Sequence, residues 1–177
     1  MHKLKLEELG RPSVEEFRRQ EKLPLVVVLD NIRSMQNVGS VFRTCDAFAV
    51  EKIVLCGITA QPPHRDINRA ALGATESVEW EYVNDVTEAV NRLKESGHSI
   101  IGLEQTDESV KMNSGDFKPD NSLRYALILG NEVEGISDEI LGNLDLALEI
   151  PQSGTKHSLN VSVAAGVAIW WFYEHLI

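Results

Sequence analysis

The sequence contains no run of about 18 apolar residues, the length that a membrane-spanning helix requires. Its amino terminus also lacks the apolar stretch and the small-residue cleavage site of a signal peptide. Only two cysteines occur, Cys45 and Cys56, and no set of His, Cys, Asp and Glu has the spacing of a metal site. We therefore expect a cytoplasmic protein with no membrane segment and no metal, whose thiols are reduced and packed against apolar residues.

Positive charge is scarce, because 17 Lys and Arg residues face 27 Asp and Glu residues and the net charge is −10. The imbalance is uneven along the chain. Residues 1–75 carry 11 basic and 9 acidic residues, a balance of +2, whereas residues 76–177 carry 6 and 18, a balance of −12. Any basic surface for a nucleic acid must therefore come mainly from the first 75 residues. Charge does not identify an RNA-binding protein here, and it does not exclude one.

Apolar runs alternate with helical patterns through most of the chain. Residues 25–29 are an unbroken, mostly β-branched run, which is typical of a strand buried on both faces of a parallel sheet. Strands are also predicted at residues 52–56, 99–103, 125–129 and 146–150, and at residues 78–83, where Val78, Trp80 and Tyr82 would lie on one face. The alternation predicts an α/β domain with a mostly parallel six-stranded sheet flanked by helices. We expect residues 1–23 to form a short helical extension, opened by a capping box at Ser13, and residues 24–177 to form the domain.

In sheets of this class, ligands bind at the carboxyl ends of the strands, so the loops after residues 29, 103, 129 and 150 are the candidates for a site. The first loop leads into a helix predicted over residues 40–48, with Asn37 or Ser40 as its cap. This puts Arg43 near the helix start, where a cation is unfavourable against the helix dipole. An arginine there suggests a bound anion such as phosphate; the alternative is an ion pair with Asp46.

Two further loops have unusual composition. Residues 130–135 read GNEVEG, and Glu132 near the sheet end can bind a hydroxyl or take up a proton, unless both glutamates are simply solvated. The loop after residue 150 is polar and leads into a helix rich in small residues, capped by Ser158 or Asn160. No dinucleotide-binding or P-loop signature occurs. His64 and His157 each stand alone and are expected to be exposed or weakly bonded.

Together these loops resemble the motifs of the SpoU branch of the SPOUT RNA methyltransferases. The first motif resembles Asn37-x-Gly39-x-x-x-Arg43-Thr44, the second Gly130-Asn131-Glu132-x-x-Gly135, and the third Ile150-Pro151 followed by Ser158-Leu159-Asn160-Val161-Ser162. The resemblance runs from residue 25 to residue 171. Gln152 departs from it, because the family usually has methionine at that position.

The resemblance implies a parallel α/β sheet with a C-terminal trefoil knot, a homodimer with active sites near its interface, and S-adenosylmethionine as the cofactor. The implied reaction is methylation of a ribose 2′-hydroxyl of transfer or ribosomal RNA. The implied reaction site comprises Asn37, Arg43, Glu132, Ser158 and Asn160. The implied cofactor contacts, made largely through backbone atoms, come from Leu103, Gly130, Ile150 and Leu159.

Elementary chemistry constrains the roles in that site. A guanidinium cannot ordinarily lose its proton in a protein, so we interpret Arg43 as holding the phosphate beside the target ribose and stabilising the developing oxyanion. The resemblance implies that Arg43 serves the neighbouring subunit. Either Glu132 or solvent would accept the hydroxyl proton.

Two other functions remain open at this point. The same fold can methylate a base nitrogen, although the Ser-Leu-Asn motif favours ribose. The chain can also bind RNA or cofactor without catalysis, which the charge of −10 favours and the intact motifs oppose. With about 24 residues before the first strand, we expect no separate N-terminal RNA-binding domain. Substrate selection would then be aided by basic residues of the first helix: Arg11, Arg18, Arg19 and Lys22.

Overall fold

The computed structural model describes the backbone of all 177 residues and every side chain except those of residues 6 and 7. After a 3-10 turn at Leu6–Leu9, helices and strands alternate along the chain. The helices are α1 Val14–Arg19, α2 Met35–Ala47, α3 Arg65–Ala71, α4 Ala74–Ser77, α5 Val86–Glu95, α6 Asp138–Leu141 and α7 Val161–Leu176. The strands are β1 Leu23–Asp30, β2 Val50–Cys56, β3 Trp80–Val83, β4 His98–Leu103, β5 Val110–Lys111, β6 Arg124–Leu129 and β7 Leu146–Glu149.

The strands form one sheet in the order β3-β2-β1-β6-β4-β7-β5, and every neighbouring pair is parallel. In the central strand β1, Val28 pairs with Val54 of β2 on one side and with Ile128 of β6 on the other. The predicted α/β class and parallel sheet are confirmed. The sheet has a seventh strand, β5, because a two-residue strand is too short to produce a periodic pattern. The trefoil knot stays a prediction.

Helices cover both faces of the sheet. On one face, α1, α2, α3, α4 and α7 pack around side chains such as Val27 of β1, and this is the larger core. On the other face, α5 and α6 pack against Val28 and its neighbours. Phe17 of α1 is buried in the larger core, so the predicted N-terminal extension contributes to the packing of the domain.

Both cysteines are free and buried, as predicted. Burial raises the pKa of the Cys45 thiol, and burial together with the nearby carboxylates of Asp30 and Asp85 raises the pKa of Cys56 to about 12. Neither group is therefore a thiolate at neutral pH, and neither is suited to nucleophilic chemistry. No helix within the described residues has the length and apolar character that crossing a membrane requires.

Helix α2 begins five residues before its predicted start. Its cap is Ser34, whose Oγ accepts a hydrogen bond from the N–H of Asn37 at 3.3 Å. The prediction that Asn37 or Ser40 caps this helix was therefore wrong. Placing Arg43 near the helix start was also wrong, because Arg43 is the ninth residue of a 13-residue helix. At this position Arg43 is remote from the partial positive charge of the helix amino end.

Candidate active site

Three side chains from distant parts of the chain are linked by hydrogen bonds at the carboxyl edge of the sheet. The Nδ2 of Asn37 donates to Oε1 of Glu132 at 3.0 Å, and the Oδ1 of Asn37 accepts from Nδ2 of Asn160 at 3.1 Å. Both ends of the Asn37 amide are thus engaged. The structure brings one residue from each of the three predicted loops into a single hydrogen-bond network.

Glu132 is held at the amino end of α2 by backbone as well as side-chain donors. Its Oε2 accepts from the N–H of Arg33 at 2.9 Å, and its Oε1 accepts from the N–H of Ser34 at 3.0 Å. A carboxylate is favoured there, because the helix amino end carries partial positive charge and unpaired N–H groups. This side chain therefore fastens the loop after β6 to the loop after β1.

The hydrogen bonds also control the charge of Glu132. Partial burial acts to raise its pKa, but the donors from Arg33, Asn37 and Ser34 together outweigh that effect, and the pKa of Glu132 lies below its ordinary value. The side chain is consequently an anion at neutral pH. Both of its oxygens are already occupied by donors, so it is poorly disposed to take up a further proton.

Asn160 is both a helix cap and a member of this hydrogen-bond network. Its Oδ1 accepts from the N–H of Ser162 at 2.9 Å and from the hydroxyl of Ser162 at 2.7 Å, which closes the amino end of α7. Of the two predicted caps, Asn160 is the one that the structure has. Since its oxygen caps the helix, its Nδ2 is free to reach Asn37.

A cavity of about 650 Å³ opens beside this group. It lies between the loops that follow β4, β6 and β7, which are neighbours in the sheet. All four predicted cofactor residues line it: Leu103, Gly130, Ile150 and Leu159. Of the predicted reaction-site residues, Glu132, Ser158 and Asn160 line it as well.

Glycines form one wall of the cavity. A Cβ on Gly130 would lie 2.3 Å from the carbonyl carbon of Gly135, and Gly135 itself has a φ of +69°. Asn131 closes the turn between them, because its backbone exchanges two hydrogen bonds with Gly135 at 3.0 and 2.9 Å. The motif glycines are thus required by close backbone approach and by a left-handed conformation.

The cavity is lined by negative charge. Five acidic residues contribute to its wall and, among the described lining residues, neither lysine nor arginine does: Glu104, Glu132, Glu134, Asp138 and Glu149. Apolar side chains complete the wall, among them Leu129, Ile136 and Leu148. Such a cavity favours a ligand that combines an apolar ring with positive charge.

Arg43 lies apart from this group. Its side chain is exposed, does not line the cavity, and within the described side chains has neither a hydrogen bond nor an ion pair. The alternative partner, Asp46, instead accepts a hydrogen bond from the hydroxyl of Ser77. One subunit alone therefore does not place Arg43 in contact with Glu132 or Asn160.

The two isolated histidines have the minor roles expected of them. His64 caps α3, where its Nδ1 accepts from the N–H of Asp66 at 3.2 Å, and His157 is exposed. The described side chains contain no group of three or more His, Cys, Asp and Glu that could hold a metal ion.

Sequence reasoning missed two residues that shape the site. Glu104 accepts from the N–H of Ile136 at 3.1 Å and so joins the loop after β4 to the wall of the cavity. The carbonyl of Asn31 accepts from Nδ2 of Asn131 at 2.7 Å, which ties the second loop to the end of β1. Both follow a strand directly, and this position was the available signal.

Known proteins are similar to this chain in sequence and fold. A sequence model described as the SpoU rRNA Methylase family matches residues 24–170. A 23S rRNA (guanosine-2′-O-)-methyltransferase from Neisseria meningitidis serogroup B is 32% identical over 146 residues, which cover 82% of this chain and 56% of that protein. The chain spans less than two thirds of the first curated relatives that it matches, 61% of one and 56% of another.

Solved structures of RNA-modifying enzymes are similar to this chain in fold. A TrmH/SpoU tRNA modifying enzyme from A. aeolicus has a TM-score of 0.80 at 26% identity, covering 92% of this chain and 80% of that one. An rRNA methyltransferase from Sinorhizobium meliloti, crystallised with AdoMet bound, has a TM-score of 0.77 at 27% identity, covering 90% of this chain and 62% of that one.

Proposed function

Because the chain belongs to the SpoU rRNA Methylase family, we propose that it transfers a methyl group from S-adenosylmethionine to a ribose 2′-hydroxyl of transfer or ribosomal RNA. The observation that carries this proposal is the hydrogen-bond network from Glu132 through Asn37 to Asn160, beside an acidic cavity. The names of the relatives agree with it, since they include a ribose 2′-O-methyltransferase and an AdoMet-bound enzyme.

The cavity suits this cofactor in size and chemistry. Its volume of about 650 Å³ falls within the usual range of small-molecule sites, about 300–1,000 Å³. The apolar wall can enclose an adenine ring, and backbone groups of the Gly130–Gly135 turn can bond its edge. The carboxylates favour a cation, and the cofactor carries a sulfonium. We propose that Leu103, Gly130, Ile150 and Leu159 hold it.

When bound, the cofactor supplies a methyl group that its positive sulfur already activates. A bond forms between the ribose 2′-oxygen and the methyl carbon, the carbon–sulfur bond breaks, and the hydroxyl proton leaves. The protein must therefore align the hydroxyl and stabilise its oxygen as negative charge develops. We assign Asn160 and Ser158 to contact with the ribose, since both lie at the cavity mouth.

Glu132 acts through Asn37 rather than on the proton. Its oxygens are occupied by three donors and its pKa is lowered, so solvent is the better proton acceptor. We therefore propose Glu132 and Asn37 as positioning residues that fix the orientation of Asn160. Of the two proton acceptors that the sequence left open, we therefore propose solvent.

Methyl transfer from labelled cofactor to RNA tests the proposed function. Total RNA from a strain that lacks the gene should incorporate label, and nuclease digestion with mass analysis should find it in 2′-O-methylated nucleosides. Label on a base nitrogen would contradict the ribose assignment. No incorporation, together with no binding of S-adenosylhomocysteine by folded protein, would contradict the enzyme assignment.

We further propose a homodimer in which α7 forms the interface. Val163, Val167 and Trp170 follow one another at helical spacing on α7 and are 53%, 41% and 49% exposed. An apolar stripe of this kind marks an association surface. Helix α2 packs against α7, so an interface along α7 would bring Arg43 near the neighbouring subunit, where it can hold the RNA phosphate.

Val167→Glu is expected to convert the dimer into a monomer, because a charge would be buried without a partner. Light scattering coupled to gel filtration would measure the mass. Val14→Glu is the matched control, since Val14 on α1 is 38% exposed and receives the same charge. A dimer that persists in the Val167 variant would place the interface elsewhere.

A further inference from the structure

The arginines on the two sides of the sheet differ in whether a carboxylate neutralises them. Those on the α5 side of the sheet are neutralised: Arg92 pairs with Glu88, and Arg124 pairs with Glu51. Lys52 on the same side lies 3.1 Å from Glu79 and 3.4 Å from a second carboxylate. This face therefore offers little positive charge to a polyanion.

The α2–α3 side differs. Within the described side chains, Arg33, Arg43 and Arg69 have no carboxylate within ion-pair distance, and all three are exposed. Arg65 has only a 3.8 Å contact with Asp66, and its side chain is 88% exposed. Four guanidinium groups without a close carboxylate partner thus belong to the α2–α3 side of a protein whose net charge is −10.

Helix α3 is fixed to the helix that carries the site. A Cβ on Gly39 of α2 would lie 2.4 Å from the carbonyl oxygen of Ile67, so the two backbones are in direct contact there. Gly39 is two residues beyond Asn37, which bonds to Glu132 and Asn160. Arg65 and Arg69, one turn apart on α3, therefore stand on a rigid support beside the reaction site.

Two basic side chains in and after α1 are less available. The guanidinium of Arg18 donates to the carbonyl of Glu76, and the ammonium of Lys22 donates to the carbonyl of Phe17 and lies 3.3 Å from the centre of the Phe17 ring. These two side chains are committed to the fold. Any help from the first helix in substrate selection therefore depends on Arg11 and Arg19, which are exposed, and it stays a prediction.

We propose that Arg65 and Arg69 form a phosphate-docking surface for RNA, outside the reaction site and outside the three sequence motifs. This inference rests on the proposed function, because it takes RNA as the substrate. The acidic cavity repels a polyanion, whereas the α2–α3 side offers free guanidinium groups beside the reaction site, so this face attracts RNA to the site. Arginine suits this task, since its planar fork matches two phosphate oxygens.

RNA affinity as a function of salt tests the surface. Fluorescence anisotropy with a labelled, unmodified transfer RNA transcript should show a several-fold weaker complex for Arg69→Gln. The slope of log affinity against log salt should fall by about 1 for each arginine removed, and by about 2 for Arg65→Gln/Arg69→Gln. In methyl transfer, the double variant should raise the KM for RNA and leave kcat unchanged.

Lys94→Gln is the matched control. Arg69 and Lys94 each lie in the last turn of a helix, both are exposed, and each change removes one charge, but Lys94 is on α5. The proposed surface would be contradicted by an unchanged salt slope in the double variant. It would also be contradicted if Lys94→Gln weakened RNA binding as much as Arg69→Gln does. If wild type bound RNA but neither methylated it nor bound S-adenosylhomocysteine, the proposed function would fail while the surface could still be judged.

Discussion

An alanine at position 130 is expected to abolish measurable binding of S-adenosylhomocysteine and to lower the free energy of unfolding by about 1 to 3 kcal/mol. The added Cβ would lie 2.3 Å from the carbonyl carbon of Gly135 and 2.4 Å from the nitrogen of Ile136. Both are backbone atoms, so no side-chain rotation relieves the clash. The loop that walls the cavity must move, and the bond from Ile136 to Glu104 is disturbed with it.

Calorimetry with S-adenosylhomocysteine and urea denaturation would measure the two effects of Gly130→Ala. Gly154→Ala is the control, because Gly154 lies in the polar loop after β7 and a Cβ there meets nothing within 4 Å. Its stability should stay within about 0.5 kcal/mol of wild type, with normal binding. Tight binding by the Gly130 variant would remove this loop from the cofactor site.

Glu132→Gln is expected to slow methyl transfer by about 100-fold while leaving the affinity for S-adenosylhomocysteine near its wild-type value. All three donors around this carboxylate need acceptors, and a glutamine can offer only one oxygen. Its amide N–H₂ would face at least one of those donors. The resulting shift of Asn37 passes to Asn160 and misaligns the ribose.

Single-turnover methyl transfer would isolate the chemical step of the Glu132 variant. Glu134→Gln is the control, because it changes the same charge in the same loop at an exposed side chain. Equal slowing in both variants would mean that loop charge, rather than the hydrogen bonds, sets the rate. A defect that disappears at alkaline pH would identify Glu132 as the proton acceptor after all.

Much of the fold was predictable because its strands are buried on both faces. An unbroken apolar run such as residues 25–29 predicts a strand from the local sequence alone. The two-residue β5, in contrast, is defined only by its pairing with β7. The start of α2 was missed for a related reason. Its first turn is polar at Gln36 and Asn37, and Ser34 is only one of several residues in this segment that can cap a helix, so the local sequence does not single it out.

The candidate site was predictable in its location and only partly in its contacts. Loop position and motif resemblance brought Gly130, Ile150 and Leu159 to one cavity. The saturation of Glu132 by backbone donors depends on how two distant loops meet, which no sequence spacing encodes. The helix-dipole argument for Arg43 failed because it rested on a helix boundary, and boundaries are the least certain part of a sequence pattern.

The contacts of Asn37 also constrain when the site can exist during folding. They join positions 95 and 123 residues apart, so each closes a loop longer than half of the chain. Closing such loops costs conformational entropy, which the contacts of the sheet offset. The site therefore assembles late, after β6 has paired with β1 and α7 has packed on the sheet. Residues 151–160 are exposed, so local opening there breaks the link while the sheet stays intact. The arrangement of Glu132, Asn37 and Asn160 in the candidate active site is consequently less stable than the sheet that supports it.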